Sequence, residues 1–493
     1  METGLTKNRI LSELSKSPHG KLQEYVAIGQ EAAKQEPEFF AHLIAWDRIK
    51  GDVRDAKVAL PVVALSVDQA DVFVENSLAH IALLGPREFL KAYRFALELR
   101  PAGKMRKVRK IAECFLREIE NDRRGFDRTA LQHRKVLKEL YALTHVKPSQ
   151  RADAVLFKGI YPDGSVFAEV AKLKDMAPTE AAAIIMDRKI PFLVAKGALG
   201  AKAKDPDLVL ALIKGMTATE LVTNTKMLEK LGIKTNPALR GAYEEGLKKV
   251  TKSKANVLKT TRALEQIGDT DLRDKLRGVQ EKQIEALGGV DGNWLVLADK
   301  SGSMNQAIEV SRHVSATLAK MVKGKVYLVF FDTMPMSIDV TGAALDMIKK
   351  ATQHIQAGGG TSIGCGLQRM LEAKAEIDGI AIISDGGENT PPAFADVYKK
   401  YSTFAGKEVP VYLYHCVGEN NVLEGNNRRS GVDMHTFELA GSSIDYYSIP
   451  NLVKTMRTNR YSLVDEVMAV PLVTLDKVFK HFDRKEVLHV ASV

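Results

Sequence analysis

The sequence predicts an α + α/β architecture: an array of short helices over residues 1–290, then a doubly wound, mostly parallel sheet over 291–493. Three observations predict it. Apolar residues recur at helical spacing from Leu22 to about Gly288. No run before residue 290 reads as a strand. After Gly288-Gly289, short apolar runs alternate with helical segments, which is the pattern of a parallel sheet covered by crossover helices.

In the first part, the stretch Lys107–Leu116 shows the periodicity well. Val108, Ile111, Ala112, Phe115 and Leu116 share one face, and the basic residues take the other. Phe89–Leu99, Lys135–Leu143, Val166–Leu173 and Leu208–Ile213 repeat the pattern. Gly85-Pro86, Arg100-Pro101-Ala102-Gly103, Lys147-Pro148 and Asp205-Pro206 interrupt it. Asp205 before Pro206 reads as an N-cap followed by proline at the first helical position. Short helices in series without a strict sequence repeat predict a solenoid of irregular helix pairs.

In the second part, Asn293–Ala298, Val326–Phe331, Ile380–Ser384 and Val409–His415 read as strands buried on both faces. Helices are expected between them at Ala307–Met321, Ala343–Gln356, Ile363–Ala373 and Ala393–Tyr401. Beyond Asn451 the helical pattern is partial (Leu452–Met456, Leu475–Phe482), and the tail can complete the sheet domain or pack back on the helices.

Composition sets limits on function. A chain of 493 residues exceeds what one compact core holds. No stretch approaches the roughly 20 uncharged apolar residues of a membrane span. The first residues lack a signal peptide's apolar core, and Cys114, Cys365 and Cys416 have no metal-ligand spacing, so a reducing, cytoplasmic location is expected. The net charge of +10 is uneven. Residues 1–290 hold 50 Lys and Arg against 38 Asp and Glu, and residues 101–150 alone hold 13 against 6. The remainder has 21 against 23. Such asymmetry points to a polyanion partner for the first part, with a solvated helical surface as the alternative.

Ligands of parallel sheets sit at the carboxyl ends of the strands, and a candidate metal constellation falls there. Asp299, Ser301 and Ser303 alternate in the loop after the first strand, with Gly302 allowing the turn. Thr361 follows three glycines in another loop, and Asp385 follows the third strand. Two carboxylates and three hydroxyls make an oxygen-only set, suited to Mg²⁺ or another hard divalent cation. Some ligands acting through water would leave one position for a partner's carboxylate. Lys300 is unfavourable in such a site unless it points away. Catalysis is not expected: no Gly-x-Ser-x-Gly elbow or Gly-Lys-Ser/Thr phosphate loop is present.

The three separated pieces are similar to the metal-ion-dependent adhesion site of von Willebrand factor A (vWA) domains. The chain as a whole, over roughly residues 20–450, resembles the Ro ribonucleoprotein family, whose helical part is the TROVE module. The segments carrying this resemblance are Leu137–Ser149 (Leu-Lys-Glu-Leu-Tyr-Ala-Leu-Thr-His-Val-Lys-Pro-Ser), Leu212–Thr217, Leu221–Met227 and Glu281–Met304. At Val222-Thr223-Asn224-Thr225 the family's Leu-Arg-Asn-Leu loses its arginine.

The resemblance implies a ring of HEAT-like helical repeats and an RNA-binding, non-enzymatic scaffold. Small structured Y RNAs would bind outside, and the ends of misfolded noncoding RNAs would enter the hole. His145 and Lys147 are the first RNA-contact candidates. Lys104, Arg106, Lys107, Arg109 and Lys110 form a second set, for which a plain solvated helix face is the competing reading. An exoribonuclease is the protein partner it suggests. Two other hypotheses compete: a metal-dependent protein-interaction module without RNA, and a metal-dependent hydrolase lacking recognisable acid–base residues.

Overall fold

The structure is a computed structural model that describes residues 7, 10, 11, 14, 22–51, 53–101, 103–250, 257–285, 290–302, 304–416, 420–438 and 460–479. It divides into two compact units.

The first unit is helical, and among the described residues before Val290 there is no strand. Its helices form two rows in which each packs on the next but one. Pro37–Lys50 packs on Asp71–Ala82, which packs on Met105–Asn121; Arg54–Leu65 packs on Pro86–Leu99, which packs on Arg123–Thr144. Alternation of this kind is what a solenoid of helix pairs requires, since each pair buries its apolar stripes only against its neighbours. On Met105–Asn121 the buried set is Val108, Ile111, Ala112, Cys114, Phe115 and Leu116, the face that the periodicity predicts. Phe89 and Phe115 stack across neighbouring rows, with ring centroids 4.1 Å apart. Farther along, Pro178–Asp187, Pro206–Gly215 and Pro237–Val250 enclose a second stretch of core around Leu208, Leu212 and Tyr243. The predicted cap is present: Asp205 Oδ1 accepts the N–H of Asp207 at 3.0 Å, with Pro206 at the helix start.

Part of the chain's tail belongs to this helical unit. Val473 N–H donates to Asn76 Oδ1 at 2.9 Å, and Leu475 N–H donates to Glu75 Oε1 at 3.0 Å. His42 Nδ1 meets the Val470 carbonyl at 2.7 Å. Leu475 and Phe479 are buried. The contact-defined division falls between Val279 and Gln280 rather than at residue 290, and Val467–Phe479 go with the helices rather than with the sheet. Lys7, Ile10, Leu11 and Leu14 go with the sheet unit. The expected helix at Leu452–Met456 lies outside the described residues; Leu475–Lys477 forms a single 3₁₀ turn.

The second unit is the α/β domain. Its strands are β1 (Trp294–Asp299), β2 (Val326–Phe331), β3 (Pro335–Asp339), β4 (Gly379–Ser384), β5 (Val411–His415) and β6 (Met434–Glu438). The order across the sheet is β3-β2-β1-β4-β5-β6, parallel except for β3. The strand order reverses about β1, so β1 and β4 flank the switch point where such sheets bind ligands. β1 is buried along its whole length. Leu295 and Leu297 face the helices Ile363–Glu372 and Phe394–Ala405, and the helix Asn305–Met321 packs against the other side of β1 and β2. Gly366 permits that close packing: a Cβ there would lie 2.6 Å from Leu297 Cδ2. Sequence reading missed β3 and β6. Among the described residues no helix is long and apolar enough to cross a membrane.

Candidate functional site

Parallel register brings the metal candidates together. Ala298 pairs with Ile383, so β1 and β4 end side by side with Asp299 and Ser384 as neighbours. Ser384 Oγ donates to Asp299 Oδ2 at 2.6 Å, and Ser301 N–H donates to Asp299 Oδ1 at 2.8 Å. Asp299 is fully buried. Burial pushes its carboxyl above the usual range, the hydrogen bonds from Ser384 and Ser301 pull it back, and the charge of nearby Asp385 pushes it up again. Asp385 Oδ1 accepts the N–H of Gly387 at 2.8 Å, and its carbonyl meets His415 Nε2 at 2.7 Å. Gly386 turns the chain between them with φ +78°.

The third loop reaches the same end of the sheet. Gly302 N–H donates to the Gly359 carbonyl at 3.3 Å, and Gly358 N–H to the Lys300 carbonyl at 2.7 Å. Thr361 is buried, its N–H held by Asn389 Oδ1 at 2.9 Å. Asn389 and Thr390 both return their N–H groups to the Thr361 carbonyl, at 3.1 and 2.9 Å. The Thr361 loop is thereby fastened to the segment after Asp385. Asp299, Ser301, Thr361 and Asp385 are thus carried on three mutually bonded loops; Ser303 lies outside the described residues.

This donor set fits a hard divalent cation. Among the described residues, no three His, Cys, Asp or Glu side chains are grouped so that they could hold a metal ion by themselves, so hydroxyls and water would have to complete a shell around the two carboxylates. Lys300 leaves that charge uncompensated because its ammonium is bonded to Asp332 instead. Burial pushes the Asp332 carboxyl up, but the bonds from Lys300 and from Met334 N–H outweigh it and leave it below the usual range. Sequence reasoning missed Asp332, Ser384 and Asn389. Ser384, beside Asp385 at a strand end, was the one with a visible signal. A cavity of about 650 Å³ lined by Asn293, Lys325, Tyr327 and Arg369 lies at the opposite, amino end of the parallel strands, away from these loops.

In the helical unit, His145 and Lys147 stand exposed on the turn after Arg123–Thr144, where His145 adopts a left-handed conformation (φ +56°). The turn is fixed from beneath. Glu120, on the neighbouring helix, accepts the Tyr141 hydroxyl at 2.5 Å and the Ser149 N–H at 2.9 Å, and pairs with Arg117 at 2.7 Å. Arg117 also donates to the Lys147 carbonyl at 2.9 Å. Ser149 Oγ then caps the next helical turn at Ala152 N–H. The second basic set is divided. Lys104 is half-buried, bonded to the Val67 carbonyl, and burial lowers its ammonium below the usual value. Lys107 pairs with Asp71 at 3.6 Å and Lys110 with Glu113 at 3.2 Å. Arg106 and Arg109 are exposed. All three cysteines are buried and unbridged, and burial raises the Cys114 and Cys365 thiols to about 11, so neither supplies a thiolate at neutral pH.

No family model matches this sequence, and no curated protein matches it. Among solved structures it is similar to the Ro (RSR) protein of Deinococcus radiodurans, at 12% identity and a TM-score of 0.60, over 87% of this chain and 93% of that one. A match spanning most of both chains takes in the helical array and the α/β domain together. The chain has a Ro-like fold.

Proposed function

We propose that this protein is an RNA-binding scaffold that holds small structured noncoding RNAs and the single-stranded ends of misfolded RNA. The observation that carries the reading is the Ro-like fold over 87% of the chain. The excess of basic charge in residues 1–290 supports it, because phosphate neutralisation dominates RNA affinity. The rigid presentation of His145 and Lys147 supports it too. A backbone fixed before binding loses less entropy on contact. Arg106 and Arg109 add exposed charge on a neighbouring helix, whereas Lys104 serves the fold.

The α/β unit would serve a protein partner. A divalent cation held by Asp299, Ser301, Ser303, Thr361 and Asp385 would supply a Lewis-acidic position for a partner's carboxylate. Asp299 and Asp385 would provide the charge, and the Asn389 bond would keep the Thr361 loop in place. An exoribonuclease is a fitting partner for a scaffold that captures RNA ends. We assign no catalytic residue, and the expected location is the cytoplasm.

RNA co-purification tests this reading. Wild type, His145→Ala/Lys147→Ala and Asp299→Ala proteins would be isolated at moderate salt and their bound RNA sequenced. Discrete structured RNAs retained by the wild type and Asp299→Ala, and lost from the double variant, are the expected result. Wild-type protein free of RNA would overturn it and leave the metal-dependent interaction module.

A further inference from the structure

Beyond the turn that carries His145 and Lys147, the chain leaves an aromatic ring partly exposed on the helical array. Asp153–Lys158 is a π-helical turn ending at Gly159, whose φ is +70°. Such turns are costly and recur at functional sites. This one places Phe157 and Ile160 in solvent, at 41% and 60% exposure. The segment is nonetheless held firmly. Arg134 donates twice to the Leu156 carbonyl, at 3.2 and 3.0 Å, and once to the Tyr161 hydroxyl, at 2.9 Å. Phe157 meets the ring of Tyr141 edge-on, with centroids 6.1 Å apart, and the Lys138 ammonium lies 5.4 Å from the Phe157 ring centroid.

These residues are continuous with the candidate RNA turn. Lys138 and Tyr141 lie three apart on Arg123–Thr144 and so share a face, and His145 follows on the turn that ends this helix. Tyr141 joins the two features: its ring backs Phe157, and its hydroxyl bonds Glu120, which fixes the turn at Ser149. An exposed ring on a pinned backbone with a cation beside it matches what an unpaired base needs. The ring is 41% exposed and so partly open to a stacking base, and the Lys138 ammonium over it can shift to the flanking phosphate. Arg134, Lys135, Lys138 and Lys158 lie near Phe157 in the helix and the π-helical turn, against Glu139 and Asp153, with Lys158 paired to Asp153 at 2.6 Å; the remaining excess is basic and favours a polyanion over an apolar protein surface.

We propose that Phe157, backed by Tyr141 and flanked by Lys138, is a stacking platform for one unpaired base of a single-stranded RNA segment that continues past His145 and Lys147. The proposal rests on the RNA-binding reading above and extends it to residues whose sequence carries no basic motif.

The test uses the full chain and two RNAs: a blunt hairpin, and the same hairpin with a six-nucleotide 3′ extension containing 2-aminopurine. Wild-type protein is expected to prefer the extended RNA and to quench the 2-aminopurine. Phe157→Ala should cut the affinity for extended RNA about ten-fold and abolish the quenching, with blunt binding unchanged and the protein still folded. Phe157→Trp should retain both. Lys138→Ala should flatten the dependence of affinity on salt. Unchanged affinity and quenching in Phe157→Ala would overturn the platform while leaving the RNA reading intact. Loss of a co-purifying protein in that variant, with RNA binding unaltered, would overturn it in favour of a protein-docking role. Wild-type protein that binds neither RNA would remove the RNA reading itself, and the platform with it.

Discussion

The Lys300 ammonium is bonded to the Asp332 carboxylate, so the one cation inside the Asp299–Ser301 loop is committed to an acid that is not among the candidate metal ligands. Sequence alone made Lys300 a difficulty for a metal site, and the pair removes it by presenting a neutral unit. Breaking the pair from either side should act in opposite directions. Asp332→Ala leaves an uncompensated positive charge beside the site and is expected to weaken Mg²⁺ binding about ten-fold. Lys300→Ala leaves a negative charge and should tighten binding, and the double variant should return to near wild type. The measurement is the rise of melting temperature with Mg²⁺ concentration, which follows affinity by mass action. Equal Mg²⁺ responses in all four proteins would sink the idea, and no Mg²⁺ response in the wild type would sink the metal site.

A second prediction concerns Glu120, whose side chain is only 7% exposed while bonded to Tyr141, Ser149 and Arg117. Glu120→Ala strips three partners at once and is expected to cost about 2–4 kcal/mol of stability. Glu120→Gln keeps an acceptor but loses the charge, and should cost about 1 kcal/mol. If the clamp presents His145 and Lys147 to RNA, affinity should fall in the same order while the protein is still folded. Chemical denaturation and RNA titration on the same samples check both. Full RNA affinity in a destabilised Glu120→Ala protein would separate the clamp from RNA binding.

These cases show which parts of the molecule were legible in the sequence. β1, β2, β4 and β5 were readable because Leu295, Val329, Ile382 and Leu413 sit in strands buried on both faces, which produces continuous apolar runs. β3 escaped because it is the exposed edge: it opens at Pro335, and Met336, Ser337 and Asp339 face solvent. Asp299, Ser301, Thr361 and Asp385 could be found because loops at strand ends converge in any such sheet. Asp332 could not, because its role is defined by Lys300, a partner 32 positions away. Nor could the seat of Val473, since a backbone N–H meeting Asn76 across 397 positions leaves no trace in periodicity.

That seat gives the third prediction. Asn76 is fully buried, accepts the Val473 N–H and donates to the Ala41 carbonyl at 3.0 Å. Asn76→Ala orphans the Val473 N–H and takes a second donor from the Ala41 carbonyl. The expected cost is about 2–4 kcal/mol, with loosening of the segment at its Val473 end. Amide exchange at Val473 and Leu475 should accelerate well beyond that of the core helices. Exchange at those amides no faster than in the wild type would show that the Asn76 bond is not what holds the segment.

The fourth prediction follows from His80, which is 3% exposed and has no hydrogen-bond partner at either ring nitrogen among the described residues. Burial, with a smaller contribution from the charge of Arg48, lowers its pKa to about 4. The unfolded chain, near 6.5, binds the proton first as pH falls. Between pH 6.5 and 4 the unfolded state therefore holds more protons than the folded state, and stability must rise with pH across that window. Above it, the histidine is neutral in both states and contributes no slope. The shift corresponds to about 3 kcal/mol lost by pH 4. His80→Leu removes the titrating group without leaving a large void. Its stability should change less between pH 7 and pH 4.5 than that of the wild type, while the two proteins behave alike above pH 7. Unfolding free energies from denaturant titrations at pH 7.5, 6.0, 5.0 and 4.5 give both slopes. Parallel curves across the acidic range would show that the ring takes up its proton without unfolding, which requires water or a rearranged partner to reach a side chain now enclosed on all sides.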